Sequence, residues 1–245
     1  MTRPSEKIKI SKSKVFQWST VAAAAAIALF IWIGISNSPT TIQALSGEHK
    51  EVQLPENSEV QLNAGSSLVY DEKHFNIDRQ VTLEGEAFFQ VHPGSRFIVN
   101  TAQGSVHVLG TNFNVIAWPG RFEVSCFTGK LMVINENKER LTINPGERCT
   151  KDEATLKLKS NTFLVSSDTP DWTRGKFVFD NQPLKFVLEE LERQYNVTVN
   201  LTPGLEELKY VGHFESGDLD KAISLITGPL HLYAEKNGNM ISIMF

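Results

Sequence analysis

The chain of 245 residues contains two cysteines, four methionines and four tryptophans, and its formal charge is only −4. Each scarcity closes off a class of function. Two cysteines without a CxxC cannot build a disulfide-dense scaffold, a zinc ribbon or a thioredoxin-type centre. With 24 Lys and Arg against 28 Asp and Glu, no basic face is left for nucleic acid. The histidines, His49, His74, His92, His107, His213 and His231, are scattered, with no HExxH and no i, i+4 pair to present two imidazoles to a metal. No GxSxG, P-loop or GxGxxG occurs, so neither a nucleophile elbow nor a phosphate cradle is offered. Glu84 and Glu86 are the best carboxylate pair, because residues two apart on a strand share a face. Glycosidase chemistry, however, draws its acids from opposite sides of a cleft, about 5 Å or more apart. Gly85 between them suggests a turn or a close backbone approach instead. Neither an enzyme nor a cofactor or metal site is expected.

What the chain does have is one long apolar run. Phe16 to Ile35 carries no charge, and as a helix of about 20 residues it spans a bilayer core of roughly 30 Å. Trp18 and Trp32 suit the two interfaces. Arg3, Lys7, Lys9, Lys12 and Lys14 precede it against a single Glu6, a bias that holds the N-terminus in the cytoplasm and exports the rest. A cleaved secretory signal has the same layout, but its apolar region is usually about 7 to 15 residues. Ser36-Asn37-Ser38-Pro39 also offers no clear small-x-small cleavage site, so a retained inner-membrane anchor is the favoured reading. The expected organisation begins with a cytoplasmic basic stub over 1–15 and a transmembrane helix over 16–35.

Residues 42–150 read as an all-β, jelly-roll-like sandwich. Glu59 to Leu62, Gln80 to Leu83, Arg96 to Val99, Ser105 to Leu109, Glu123 to Phe127 and Lys130 to Ile134 alternate polar and apolar residues with period two, as half-buried strands do. Residues 151–171 are polar and read as a linker. From 172 to 245 the period changes. Gly175 to Phe179 is extended, and Pro183 suits a first helical turn. Leu184, Val187, Leu188 and Leu191 form an i, i+3, i+4, i+7 stripe. Asn196 to Leu201 and Tyr210 to Phe214 are strands, and a helix runs from Asp218 or Leu219 through Ile226. A hairpin follows, with strands near Leu230 to Ala234 and Met240 to Met244 and Asn237-Gly238 as turn signal. This is a small α+β domain of order β-α-β-β-α-β-β.

Two features of the exported part bear on binding. An exposed strand edge is a template for a partner's strand, and the edge of the C-terminal sheet, with Lys176, Phe177, Val178, Phe179 and Asn181, is the expected partner-binding site. Cys126 and Cys149 can form a disulfide in an oxidising compartment or remain two small buried thiols.

Several motifs in order resemble the FecR family of anti-sigma factors. They are Leu83-Glu84-Gly85-Glu86-Ala87-Phe88-Phe89-Gln90-Val91, Phe97-Ile98-Val99-Asn100-Thr101, Val108-Leu109-Gly110-Thr111-Asn112-Phe113-Asn114-Val115 and Asn144-Pro145-Gly146-Glu147. Upstream, Val52-Gln53-Leu54-Pro55 and Val60-Gln61-Leu62-Asn63-Ala64 match as well, although Glu56-Asn57 stands where the family usually has Asp-Gly. Phe177 to Leu184 and Leu191 to Val197 are similar to the short C-terminal domain of Bacteroidetes-type members, which resembles the secretin and TonB short N-terminal module.

The resemblance implies an inner-membrane regulator. In the family, the periplasmic signalling domain of an outer-membrane TonB-dependent receptor contacts the C-terminal part, and the cytoplasmic end controls an extracytoplasmic-function (ECF) sigma factor. The family's cytoplasmic helical domain has no counterpart in the stub of about 15 residues, which is too short to pack alone. The sigma-binding domain is thus missing from this sequence, which leaves three expectations open: the sequence begins too late, the domain is lost, or the stub folds only on its partner. The alternative is a membrane-tethered periplasmic protein- or glycan-binding module without a sigma contact, for which Trp118 beside Pro119-Gly120 is the obvious aromatic platform.

Overall fold

The computed structural model describes residues 39–152, 154–163 and 167–245. The stub 1–15 and the Phe16 to Ile35 span lie outside the described residues. Among those described, no helix is long and apolar enough to cross a membrane.

The first region is built from β1 (Thr40–Gln43), β2 (Lys50–Gln53), β3 (Glu59–Leu62), β4 (Ser67–Tyr70) and the long β5 (Gln80–Gln90). It continues with β6 (Phe97–Thr101), β7 (Gly104–Val108), β8 (Asn112–Trp118), β9 (Arg121–Cys126), β10 (Leu131–Asn135), β11 (Arg140–Ile143), β12 (Glu147–Lys151) and β13 (Leu158–Thr162). β5 belongs to two sheets. Its first half pairs with β4 and, in parallel, with β6; its second half pairs antiparallel with β3 and β8. One sheet therefore holds β1, β4, β6, β7, β10 and β11, and the other holds β2, β3, β8, β9, β12 and β13, with β5 common to both.

Gly85 is the point of transfer. Its φ is +105°, and a Cβ there would lie 2.8 Å from the Ser66 Cα, so only glycine fits both the backbone angle and the approach. Glu84 and Glu86 do share the outer face, since Val81, Leu83, Ala87 and Phe89 all point into the one core on either side of Gly85. Glu84 is exposed there, whereas Glu86 is buried because other side chains cover its part of that face.

Inward residues of the two sheets meet in an apolar core. Phe89 stacks on Phe113 at 5.0 Å and meets Phe97 edge-on at 6.3 Å. Burying each such ring is worth roughly 1.5–3 kcal/mol. β13 falls inside the stretch read as linker. Only Leu158 of it is buried, so a strand with a single inward apolar residue gave no alternating signal, yet its backbone pairs fully with β12.

The second region runs β14 (Lys176–Pro183), α1 (Leu184–Tyr195), β15 (Thr198–Leu201), β16 (Lys209–Glu215), α2 (Leu219–Thr227), β17 (Tyr233–Asn237) and β18 (Met240–Met244). β14 pairs with β16, and β18 lies between β15 and β17. The stripe Leu184, Val187, Leu188 and Leu191 is buried along α1. Asp218 caps α2, its carboxylate accepting from the Lys221 amide at 2.9 Å. Strand β17 begins later than Leu230, because Gly228–Leu230 form a 3-10 turn around Pro229 and His231 then takes a left-handed φ of 55°.

Candidate functional site

Residues 40–245 form one compact unit, and the outer face of the β3-β5-β8-β9 sheet explains why. Along β5, Glu86 through Phe89 are all buried, and β8 and β9 show the same unbroken burial. A strand buried at every position is covered on both faces. Ala87, Phe89, Phe113 and Val115 face the sandwich core, whereas Phe88 and Phe127 join a second core with Trp172, Phe177, Leu184 and Leu188.

Polar side chains fill the rest of this seam and satisfy one another. Glu86 accepts from Asn114 Nδ2 at 2.7 Å and from Asn63 Nδ2 at 2.8 Å. The same Asn63 nitrogen lies 3.2 Å from Glu190 Oε1 on α1. Glu190 also receives Gln194 Nε2 at 2.7 Å, and Arg193 at 2.7 Å and 3.2 Å. Gln194 Nε2 reaches Asn63 Oδ1 at 2.7 Å, and His49 Nε2 donates to Gln194 Oε1 at 2.9 Å. Trp172, in the 3-10 turn Asp171–Arg174, donates its indole N–H to Asn114 Oδ1 at 3.1 Å.

The two carboxylates have opposite electrostatics. Burial, then the charge of Glu190, pushes Glu86 up to about 7. Burial opposes the charge of Glu190 as well, but the Arg193 guanidinium and the hydrogen bonds from Arg193 and Gln194 outweigh it and hold Glu190 below its ordinary value.

Beside the seam opens a cleft of about 520 Å³, walled on one side by Arg121, Glu123 and Arg148 of the sandwich and on the other by β14. Lys176 through Asp180 line it without a gap, so the strand turns its edge, and not one face, to the opening. Hydrogen-bond parity agrees. The Ser216 amide donates to Gly175 O at 2.8 Å, which makes Phe177 with Phe214 and Phe179 with Gly212 the hydrogen-bonded pairs of the β14/β16 ladder. The N–H and C=O of Lys176 and Val178 therefore point away from β16, and no backbone partner meets them among the described residues.

Of the residues expected to bind a partner, Lys176 and Val178 carry exposed side chains and Asn181 forms a bulge with φ 52°. Phe177 and Phe179 are buried and stack on Phe214 at 5.0 and 5.6 Å. They pin the strand to its own domain, so only the backbone and outward side chains of β14 are offered.

Two other expectations fare differently. Cys126 and Cys149 are free buried thiols, and the β9/β12 register sets Cys149 opposite Val124, two residues short of Cys126. Burial pushes their thiols up to about 11 and about 12, which keeps both protonated and unreactive. Trp118 is half-buried, and the Arg193 guanidinium lies 4.3 Å from its ring centroid, so one face of the expected platform is already taken. Among the described residues no group of three or more His, Cys, Asp and Glu is placed to hold a metal ion.

Sequence reasoning missed the seam itself, because Glu86, Asn114, Glu190 and Gln194 are polar and read as solvent-facing. The available signal was Phe88-Phe89. Adjacent strand residues point to opposite faces, so one of two neighbouring phenylalanines needs a cover other than the sandwich core.

Comparison with known proteins follows the same division. Residues 40–132 match the model of the FecR protein family, and residues 176–243 match that of the FecR C-terminal domain. No curated protein shows significant similarity. Two crystal structures from Parabacteroides distasonis ATCC 8503, at 1.65 Å and 2.50 Å, each assigned as an anti-sigma factor, share the fold. Their sequences are 30% identical to this one, with TM-scores of 0.77 and 0.78 over 83% and 84% of this chain and 98% of theirs. With both family regions present in order and a like-folded relative at that identity, the chain belongs to the FecR family of anti-sigma factors.

Proposed function

We propose that this chain is a single-pass inner-membrane regulator. Its exported part receives a signal from the periplasmic domain of an outer-membrane TonB-dependent receptor, and its cytoplasmic end acts on an ECF sigma factor. The span over Phe16 to Ile35 is the anchor, with the N-terminus in the cytoplasm. Family membership supports the regulatory role, and the observation that carries the docking site is the unpaired edge of β14. Lys176 and Val178 present backbone donors and acceptors to the cleft, and adding a strand there supplies main-chain hydrogen bonds without requiring a preformed apolar groove.

Proline tests this reading at the one place where it separates edge from face. Val178→Pro removes an N–H that points into the cleft and leaves the β14/β16 ladder its bonds through Phe177 and Phe179. Binding of the full chain to a receptor signalling domain is expected to weaken about tenfold or more, whereas Val178→Ala changes it little. Equal affinity of Val178→Pro and wild type would refute docking at this edge, and no association of the wild-type chain at tens of micromolar would refute the receptor as partner.

A further inference from the structure

The carboxylates of Glu86 and Glu190 sit on different regions of the molecule, and one amide nitrogen, Asn63 Nδ2, lies within 3.2 Å of both. Two anions this close and this deeply buried repel strongly, because little water is left to screen them. Their partners are unequal. Glu190 is met by the charged Arg193, twice, and by Gln194. Glu86 is met only by the neutral amides of Asn63 and Asn114 among the described side chains. Charges facing the pair from elsewhere do not change the order. Arg121 on β9 favours ionisation of both carboxylates, so it does not choose between them. Glu189 on α1 lies close enough to feel Arg193 and Arg121. Glu123 is engaged by Arg148 at 3.1 Å, Asp171 by Arg174 at 2.6 Å, and His49 contacts the pair only through Gln194. Lys176 and Asp180 line the adjoining cleft with opposite charges.

We propose that Glu86 and Glu190 hold one proton between them across the seam, and that its loss in mildly alkaline surroundings loosens the C-terminal domain from the sandwich. The proton resides on Glu86, since Glu190 already has a cation. With a folded-state value raised from 4.5 to about 7, Glu86 contributes stability that is fully present below its ordinary value and lost as pH rises through about 7. Glu190, shifted the other way, loses its contribution only under acid conditions. The seam is thus tightest in weakly acidic conditions. Glu86, Asn114, Trp172 and Glu190 also line the cleft beside β14, so the same proton sets the shape of that wall.

Infrared spectroscopy of the full chain in detergent reads the proton directly. A protonated-carboxyl C=O band is expected at about pH 6, fading by about pH 8.5, and absent at both in Glu86→Gln. Glu190→Gln removes the repulsion and moves the fading to lower pH. In parallel, the melting midpoint of wild type falls between these pH values, and Glu86→Gln loses most of that fall. Absence of the band in wild type at about pH 6, its persistence in Glu86→Gln, or an identical pH-dependent fall in both proteins overturns the proposal. The infrared reading on wild type does not depend on how any variant folds. None of these outcomes depends on what docks at β14, so failure here leaves that reading intact.

Discussion

On one side of β5, Phe89 meets Phe97 and Phe113 with no polar atom between the rings. On the other side of the same strand, Glu86 meets Asn63 and Asn114 through hydrogen bonds and faces Glu190. Both places are buried, but the first gains from every methylene removed from water and tolerates small angular errors. The second gains little net energy from each bond and loses heavily when one partner is missing, since a buried donor or acceptor then stands alone. Apolar packing alone holds the sandwich together, whereas the C-terminal domain sits on it through an apolar patch around Phe88 and Phe127 and, beside that, this polar network. A junction of that kind depends on every member of the network holding one geometry.

The contrast can be broken first in the apolar core. Phe89→Ala deletes a fully buried ring and is expected to cost about 3–5 kcal/mol, measured by chemical denaturation, with loss of both regions in one transition. Asn114→Ala is the smaller and more selective change, about 1–3 kcal/mol, because it strands Glu86 Oε1 and the Trp172 indole N–H. Its effect should concentrate at the seam, as a red shift of Trp172 emission before global unfolding. Equal effects from the two substitutions, or no spectral change with Asn114→Ala, would mean that the seam is no more than an extension of the core.

How much of this was legible beforehand follows from the same contrast. Strands such as Glu59–Leu62 and the stripe on α1 announce themselves, because one face is apolar and the other polar, and the period reports the element. The motif set around Leu83 to Val91 and Val108 to Val115 placed the family. Alternation carries no information about what covers a polar face, so nothing in the pattern shows that Glu86 and Asn114 on the sheet are covered by Glu190 of α1 and by Trp172. Gly85 was visible as a break but not as a change of sheet, since the partner strands that define the sheets are distant in sequence. β13 was lost because its pairing is entirely a backbone matter. Phe177 and Phe179 were correctly placed on the strand at the edge of the C-terminal sheet, but the sequence could not say that they face inward.

Amide hydrogen exchange of the full chain, alone and with a receptor signalling domain, tests the central claim most directly. Strand addition at β14 predicts slowed exchange at Lys176 and Val178, whose amides are open, and unchanged exchange at Phe177 and Phe179, whose amides already bond to β16. A bound partner that leaves Lys176 and Val178 exchanging as before, with protection elsewhere, would contradict it.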